Sequence, residues 1–599
     1  MKVFDRYAGH PVDLPRDIEP GRFRLLADAA LGADLRQAIG QPIVGATWHD
    51  LPLDDGAVVR AIGQAGMAAG QFDLIELAVS SLARVSETEH VSPLMPASVG
   101  ELAELGELER VLAERIVHLQ EINQRPRMGM QYETEVAALS RVRKMAPNAI
   151  AHLAVHSEDW HRRTLLGIAP KRLLGLFSED ELAIYENKVY VRLLDKLDQH
   201  LKRRCDTIER LHKQCREALD LGGPEDLDYR LRNDLYALWG AAFSIDETQQ
   251  LLDASNDALH MLVSLRRQVS VLRNGTLYAA VPPSLRVPEQ LRDTNILQHD
   301  QHYRHLRTLW RLHQQRPLGK PLTLRQAVDR NLALFEDYVV YIGRLCHRVL
   351  RECRVLVRAN GQCHFAGRAV HVARDSDAWR LVCGDADLVL VPTFLACVVP
   401  DADASSQERR ILVAMLATGE QAMAAPDPDS RCICVNPLDF HGLEKIRMVV
   451  DAFLWRGAVS RYGQPLGKLP GALHSWLGDK GLTRGKSSGG TAMLQPVASD
   501  DAPAFAAWLQ NNALNEQTRT ALRHAADNLQ ALSSCRECGK RATFEPTPIG
   551  FRVRCAACAS TLQLRVEHGK RVAELSIDSA APRTFHAQGA RYLRFALTP

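Results

Sequence analysis

Four cysteines near the C-terminus carry the clearest chemistry in this 599-residue chain: Cys535 and Cys538, then Cys555 and Cys558. Each pair is a Cys-x2-Cys knuckle, and 16 residues separate the two pairs. Thiolates at this spacing, on two short hairpins, can close tetrahedrally around Zn²⁺ at roughly 2.3 Å. All four ligands are cysteine, so no coordination position is left for a substrate water, and the spacing predicts a structural zinc ribbon. Arg536, Lys540, Arg541, Arg552 and Arg554 surround the knuckles with positive charge. Such a surface serves nucleic-acid contact and protein docking about equally well, and Lys540, Arg541 and Arg552 are the candidate nucleic-acid contacts.

Other chemistry-bearing groups read more plainly as structure. Glu186-Asn187-Lys188 spells the E-x-K half of a nuclease motif, but that motif needs Glu and Lys on one strand edge, and here helical text separates their directions. His299, His302 and His305 recur every third residue, a spacing that cannot close a tetrahedral site from one helix face, so polar decoration is expected. Basic text runs through His200–Arg216 and Tyr303–Arg316. In the second run Arg304, Arg307 and Arg311, with Trp310 and Tyr303, suit a phosphate-tracking surface with aromatic stacking, set against the plainer expectation of a solvated helix face. Arg484–Gly490 (RGKSSGG) looks like a phosphate loop, yet position 480 is lysine where the motif needs glycine, so a flexible basic loop is expected and NTP binding is not.

The elements that must position these groups follow from periodicity. Residues 1–98 read as a mixed α/β N-terminal domain: RFRLLADA and QPIVGATWHDLPL are strand-like, AVVRAIGQAGMAAG and FDLIELAVSSLARV have helical spacing, and SETEHVSPLMPAS closes the domain. This block is expected to contact a partner subunit. Ser98 with Glu101 forms a candidate capping box for a helix running to Ile122. From Arg125 to Gln315 helices dominate, within a helical module over 99–325. A helical run from Glu179 to Leu221 carries an apolar stripe through Leu193, Leu194, Leu197, Leu201, Ile208, Leu211 and Leu219. Its antiparallel partner is expected over Thr248–Leu272, ending at Asn274-Gly275 as a left-handed turn, before Pro282-Pro283 and Pro288 force an extended crossing. Residues 461–530 read as the flexible basic loop and a helical linker, and 531–599 as the zinc ribbon with a terminal hairpin turning at Gly569.

Three stretches carry a family resemblance: HSEDWHRRTLLGIAPKRLL (His156–Leu174), YENKVYVRLLDKL (Tyr185–Leu197) and TNILQHDQHYRHLRTLWRL (Thr294–Leu312). Together they resemble a bacterial family of uncharacterised helical domains, encoded beside McrB-type AAA+ NTPases and often fused to a PD-(D/E)xK, McrC-like nuclease fold. The resemblance covers Arg125–Trp455 and is clear to Val340. Tyr185, Glu186 and Asn187 match the family signature and are expected to hold the helix junction. The resemblance implies a nuclease-like α/β domain over 326–460, entered by the helix Leu334–Leu345. Strands follow around an Asn360-Gly361 turn, and Cys432 and Cys434 lie on a later strand as core thiols. Such a fold needs an acid on one strand and D/E-x-K on the next to hold Mg²⁺ and activate water. Glu336, Asp385 and Asp387 could supply first acids, but the expected next strand, Thr393–Val399, has neither acid nor lysine, and Lys445 is the nearest substitute. The nuclease fold is therefore expected to be degenerate.

The chain as a whole reads as multidomain, mainly α with α/β: a helical module with long antiparallel helices, a restriction-endonuclease-like domain and a four-cysteine ribbon. A net charge of +3 is near neutral for this length, so any nucleic-acid surface must be local. Nine of the 13 cysteines lack framework spacing, the N-terminus has no apolar signal region, and a cytoplasmic protein without a membrane partner is expected. The expected function is a non-catalytic or weakly catalytic subunit of an anti-phage restriction complex that binds DNA, an AAA+ NTPase, or both. The competing readings are an active Mg²⁺-dependent McrC-like endonuclease, and a zinc-ribbon DNA-binding or assembly factor with no NTPase partner.

Overall fold

The computed structural model describes residues 1–32, 35–53, 56–63, 69–84, 100–165, 167–222, 245–281, 287–315, 323–352, 356–357, 363–395, 408–416, 427–439, 442–486, 490–510, 514–536, 538–576 and 592–597. Ser98, Pro282-Pro283, Asn360-Gly361 and the segment from 396 to 399 lie outside them. The chain divides into two compact units, one of residues 1–101, 212–252 and 322–599, the other of 102–211 and 253–321.

The first unit begins with a small sheet in which β1 (Lys2–Asp5) is flanked by β2 (His10–Asp13) and β3 (Phe23–Leu25). Val58–Val59, within the stretch expected to be helical, instead pairs as a strand with Asp17–Ile18 and Leu51–Pro52. The two valines are β-branched, and their neighbouring strands decide between periods too short to distinguish. Helix α1 (Ala69–Arg84) follows, burying Phe72, Leu74, Ile75, Val79 and Leu82.

In the second unit α2 (Glu107–Gln124) starts at Gly106, whose amide donates to the Glu109 carboxylate, so the cap lies later than Ser98. Residues 129–181, expected to be helical, are mostly strand. β4 (Gly129–Ala138) pairs antiparallel with β7 (Arg172–Glu181) over ten residues, and β5 (Trp160–Thr164) with β6 (Gly167–Pro170) forms a hairpin between them. The long helix α3 (Tyr185–Gly222) consequently begins at Tyr185 and not at Glu179. Its stripe Val189, Tyr190, Leu193, Leu194, Leu197, Leu201 and Ile208 is buried together with Leu112, Leu119, Leu262 and Leu265. Helix α4 (Ile245–Arg273) runs antiparallel to it, with Arg273 on Asp195 and Asp198 and Arg266 on Asp198. Gly275 has φ −77° and caps the next short helix, so no left-handed turn forms. The glycine is needed for space: a β-carbon there would lie 2.3 Å from the Asn123 side chain. Helix α5 (Arg304–Gln314) completes the core through Leu306, Leu309, Trp310 and Leu312.

The first unit resumes with α6 (Leu324–Glu352) and a seven-stranded sheet in sequence order: β8 (Leu356–Val357), β9 (Cys363–Phe365), β10 (Arg368–Asp375), β11 (Ala378–Cys383), β12 (Ala386–Thr393), β13 (Glu408–Ala414) and β14 (Cys432–Cys434). Strands β8 to β12 pair antiparallel and β12 to β14 parallel. At the junction of the antiparallel and parallel halves, β12 is buried continuously from Leu388 to Thr393, as a strand covered on both faces requires. The N-terminal residues pack here: Tyr7 shares a cluster with Val389, Val391 and Leu412, and its hydroxyl donates to the Leu395 carbonyl at 2.8 Å. Buried Arg6 pairs with Asp377 at 2.6 Å and donates to the Pro392 carbonyl at 2.9 Å.

Helix α7 (Gly442–Ser460) follows the sheet. Around the expected flexible basic loop, Gly471–Asp479 forms a short helix and Thr483–Lys486 pairs with Gly490–Met493, while residues 487–489 lie outside the described residues. Helix α8 (Glu516–Leu532) leads into a five-stranded antiparallel sheet: β15 (Thr543–Pro546), β16 (Phe551–Arg554), β17 (Thr561–Glu567), β18 (Lys570–Ser576) and β19 (Leu593–Leu597). No helix among the described residues is long and apolar enough to cross a membrane.

Candidate metal centre and charged sites

Two turns of the same design bring the cysteines together. In the first, the Cys535 amide donates to the Lys540 carbonyl and the Gly539 amide to the Cys535 carbonyl; in the second, Cys555 and Ser560, then Ala559 and Cys555, repeat both bonds. Each turn needs a left-handed residue after its second cysteine, supplied by Gly539 (φ 69°) and by Ala559 (φ 57°). The Sγ atoms of Cys535 and Cys558 lie 3.4 Å apart, as do those of Cys538 and Cys555, and all four fall within 4.8 Å of one another. Tetrahedral Zn–S bonds place sulfurs about 3.8 Å apart, whereas a disulfide needs about 2.05 Å, so the spacing fits a shared metal ion such as zinc. The Ser560 hydroxyl, 3.0 Å from Cys535 Sγ and 3.2 Å from Cys558 Sγ, can donate to either thiolate. Burial alone would raise the Cys555 thiol, but the amides of Ala557 and Cys558 and the thiols of Cys538 and Cys558 outweigh it and bring it down to about 7. A thiol near neutrality is readily deprotonated for a metal.

The charges around this centre do not all face solvent. Arg536 is 9% exposed and forms an ion pair with Asp451 of α7, which Arg447 also approaches at 4.0 Å. Its charge is spent inside the fold, so it leaves the expected basic surface. Lys540, Arg541, Arg552 and Arg554 are exposed. Along β16, Phe551 and Val553 point inward and the two arginines outward, the alternation expected of a one-sided strand. Arg541 donates to the Ser499 hydroxyl at 2.8 Å. Across the strands, Arg552 faces Glu545 and Gln563.

The candidate nuclease acids do not converge. Glu336 on α6 is exposed and pairs with Arg374 at 2.5 Å. Asp385 is exposed in the turn between β11 and β12, and Asp387 pairs with Arg380 at 3.0 Å. Arg380 also reaches Glu408 at 3.3 Å and Asp375 at 3.4 Å, so one guanidinium is shared by three carboxylates, and Glu408 pairs with Arg410 as well at 2.5 Å. Thr393 ends β12, and the next strand in the sheet is β13, parallel to β12, with Glu408 opposite Asp387. Of the following strand expected at Thr393–Val399, Thr393 belongs to β12 and residues 396–399 lie outside the described residues. The buried part of β13, Ile411 to Ala414, carries no charge. Lys445 donates to Asp439 at 2.6 Å and to the Cys434 carbonyl at 3.2 Å. Burial, and then Asp439, push the Cys434 thiol up to about 12, as befits a core thiol.

In the second unit, Arg304, Arg307 and Arg311 lie on the exposed face of α5, with Arg307 paired to Asp293 at 3.2 Å. Their aromatic neighbours point the other way: Trp310 is 3% exposed and Tyr303 is 2% exposed, so neither can stack on a base. The Tyr303 hydroxyl donates to Asn187 Oδ1 at 2.6 Å, while Asn187 Nδ2 donates to the carbonyls of Arg127 and Leu182, both at 2.8 Å. Asn187 therefore ties the start of α3 to the chain entering β4. Glu186 is buried, and Lys188 begins the next helical turn.

His302 and His305 do meet a third histidine, His118 of α2, which sequence spacing could not reveal. The Nδ1 atoms of His118 and His302 lie 3.1 Å apart, His118 stacks on His305, and Arg115 bonds to His305. His299 is not part of this contact. Burial, then His118, Arg115, Arg304 and His302, pull His305 down to about 4. Burial, His302, Arg115 and Arg304 lower His118, opposed by Glu121. An unfolded histidine titrates near 6.5, so between about pH 6.5 and 4 the unfolded chain binds more protons than the folded one. Stability from this cluster is thus complete above about pH 6.5 and lost as pH falls towards 4. The urea midpoint of the parent protein should drop across this window, and His305→Gln should flatten the dependence. Identical slopes for the two proteins would clear the cluster of the effect.

Comparison with models of protein families, with curated proteins and with solved structures finds no match to this chain. Among the described residues, the four cysteines form the one group of three or more His, Cys, Asp or Glu close enough to hold a metal ion together.

Proposed function

We propose that this chain is a non-catalytic or weakly catalytic subunit of a bacterial anti-phage restriction complex, binding DNA, a partner AAA+ NTPase, or both. The nuclease-like α/β region serves as a scaffold, and a structural zinc holds the C-terminal ribbon. The observation that supports the scaffold role is Arg380. A hydrolytic Mg²⁺ site needs carboxylates free to share a divalent ion and a lysine aimed at the same water. Here the best-placed acids, Asp375, Asp387 and Glu408, are each paired with Arg380, Glu408 also with Arg410, and the neighbouring strand offers no lysine.

The test is cleavage of supercoiled plasmid by the full chain with Mg²⁺ or Mn²⁺, alone and with an AAA+ NTPase encoded alongside it. No cleavage, with DNA retained in a shift assay, is the expected result. Cleavage abolished by Asp385→Ala/Asp387→Ala would replace the scaffold by an active McrC-like endonuclease. DNA binding without any NTPase complex would favour a zinc-ribbon DNA-binding factor acting alone, and neither cleavage nor shift would favour a role in protein assembly.

A further inference from the structure

The ribbon arm of residues 129–181 has an unusual surface for a part of a folded unit. Its own core is small: Ala146, Ala149, Leu173 and Leu174, with four partly buried neighbours. Eight of the eighteen large apolar side chains exposed among the described residues lie between Met128 and Leu165. They include Ile150 at 74%, Val155 at 80% and Leu165, which stands fully exposed at the turn joining β5 to β6. A domain surface rarely concentrates apolar side chains in this way unless something covers them.

Charge indicates what that partner is. Residues 139–172 hold seven lysines and arginines against two acids, in a chain whose net charge is only +3. Arg141, Arg143 and Lys144 lie in the connection after β4, and Arg162, Arg163, Lys171 and Arg172 on and beside the β5–β6 hairpin. All seven are exposed, and among the described residues none forms an ion pair. Lys144 sits over the Tyr132 ring and Arg163 over Trp160. Of the two acids, Asp159 is buried and faces His152 at 3.9 Å.

We infer that this arm is a duplex-DNA contact surface: its unpaired cations bind backbone phosphates, and Leu165 at the hairpin tip touches the groove between them. A two-stranded ribbon is one of the shapes that B-DNA's major groove admits, and an apolar side chain there can pack on the thymine methyl groups. The inference rests on the DNA-binding part of the proposed function and assigns that binding to the arm, away from α5 and the zinc ribbon.

Fluorescence anisotropy of the full chain with a labelled duplex of about 30 base pairs, titrated over a range of salt concentrations, tests it. Replacing Arg162, Arg163, Lys171 and Arg172 by glutamine should weaken binding by about a hundredfold and make the plot of log K against log salt shallower by about 3 to 4, at 0.9 per phosphate. The same four positions as lysine or arginine swaps should keep the slope, which a structural role would not predict. Leu165→Ser should cost affinity a few-fold at an unchanged slope, because it removes no charge. Arg304→Gln/Arg307→Gln/Arg311→Gln should bind like the parent. If the parent binds duplex and the arm variant binds equally well, the arm assignment is wrong while DNA binding stands. If the parent binds no duplex, DNA binding fails and the arm assignment with it. Arm-dependent flotation with phosphatidylserine vesicles in place of duplex binding would also overturn it.

Discussion

Cys558→Ser is expected to release the metal and to destabilise α7 as well as the ribbon. A four-cysteine zinc site contributes on the order of 10 kcal/mol or more to the fold that contains it, and a serine cannot replace a thiolate ligand. The effect should spread because Arg536 lies between Cys535 and Cys538, inside the first knuckle, and its buried partner Asp451 is on α7. Ribbon and helix also meet through Arg456 over the Phe595 ring, and just past the helix end the Tyr462 hydroxyl donates to the Gly550 carbonyl at 3.2 Å. Losing the knuckle would leave Asp451 buried with a displaced partner, itself a cost of about 3–5 kcal/mol. Elemental analysis should find about one zinc per chain in the parent and none in the variant. Hydrogen exchange should show lost protection in β15–β19 and also in α7. A parent without metal and a variant with unchanged protection would reduce the cluster to four ordinary thiols.

Glu109→Ala should be the most damaging single change in the second unit. Glu109 is fully buried and accepts hydrogen bonds from His200 Nε2 at 2.7 Å, Arg204 Nε at 3.1 Å and the Gly106 amide that opens α2. Arg204 continues to the carbonyls of Leu102 and Glu104 at 3.0 and 2.8 Å, so one carboxylate joins α2, α3 and the segment before them. Alanine would take the carboxylate from a half-buried guanidinium and imidazole and uncap the helix, costing about 2–4 kcal/mol. Glutamine keeps an acceptor but loses the charge, and about 1–3 kcal/mol is expected. Urea unfolding followed by circular dichroism measures both. A loss below about 1 kcal/mol for alanine would mean that water replaces the carboxylate without strain.

Much of the helical framework was legible in the sequence because its signal is local. The apolar stripe of α3 repeats every three or four residues, and its side chains from Leu193 to Leu211 are buried while Leu219 is half-buried. The antiparallel partner α4 could be placed for the same reason. The strands of residues 129–181 could not, since β4 and β7 pair Gly129 with Glu181 across the whole arm, and no short window contains both halves of that pattern. The candidate nuclease site was half legible. Sequence showed that acids were present and that a D/E-x-K strand was lacking after β12. It did not show that β13 would be the neighbouring strand or that Arg380 would pair with its acids.

By itself the sequence determined the four-cysteine centre and the helical stripes. The ligands of each knuckle lie three residues apart, so the turn that positions them is built from its own backbone, and a helix likewise needs only its own period. The tertiary structure decided what each charged side chain does. Arg536 meets Asp451, Arg380 meets Glu408, and His118 meets His302 and His305 only after distant segments pack. A long charged side chain on a strand or helix looks the same in sequence whether it faces water or a buried carboxylate, because the partner that lowers its energy is supplied by the fold.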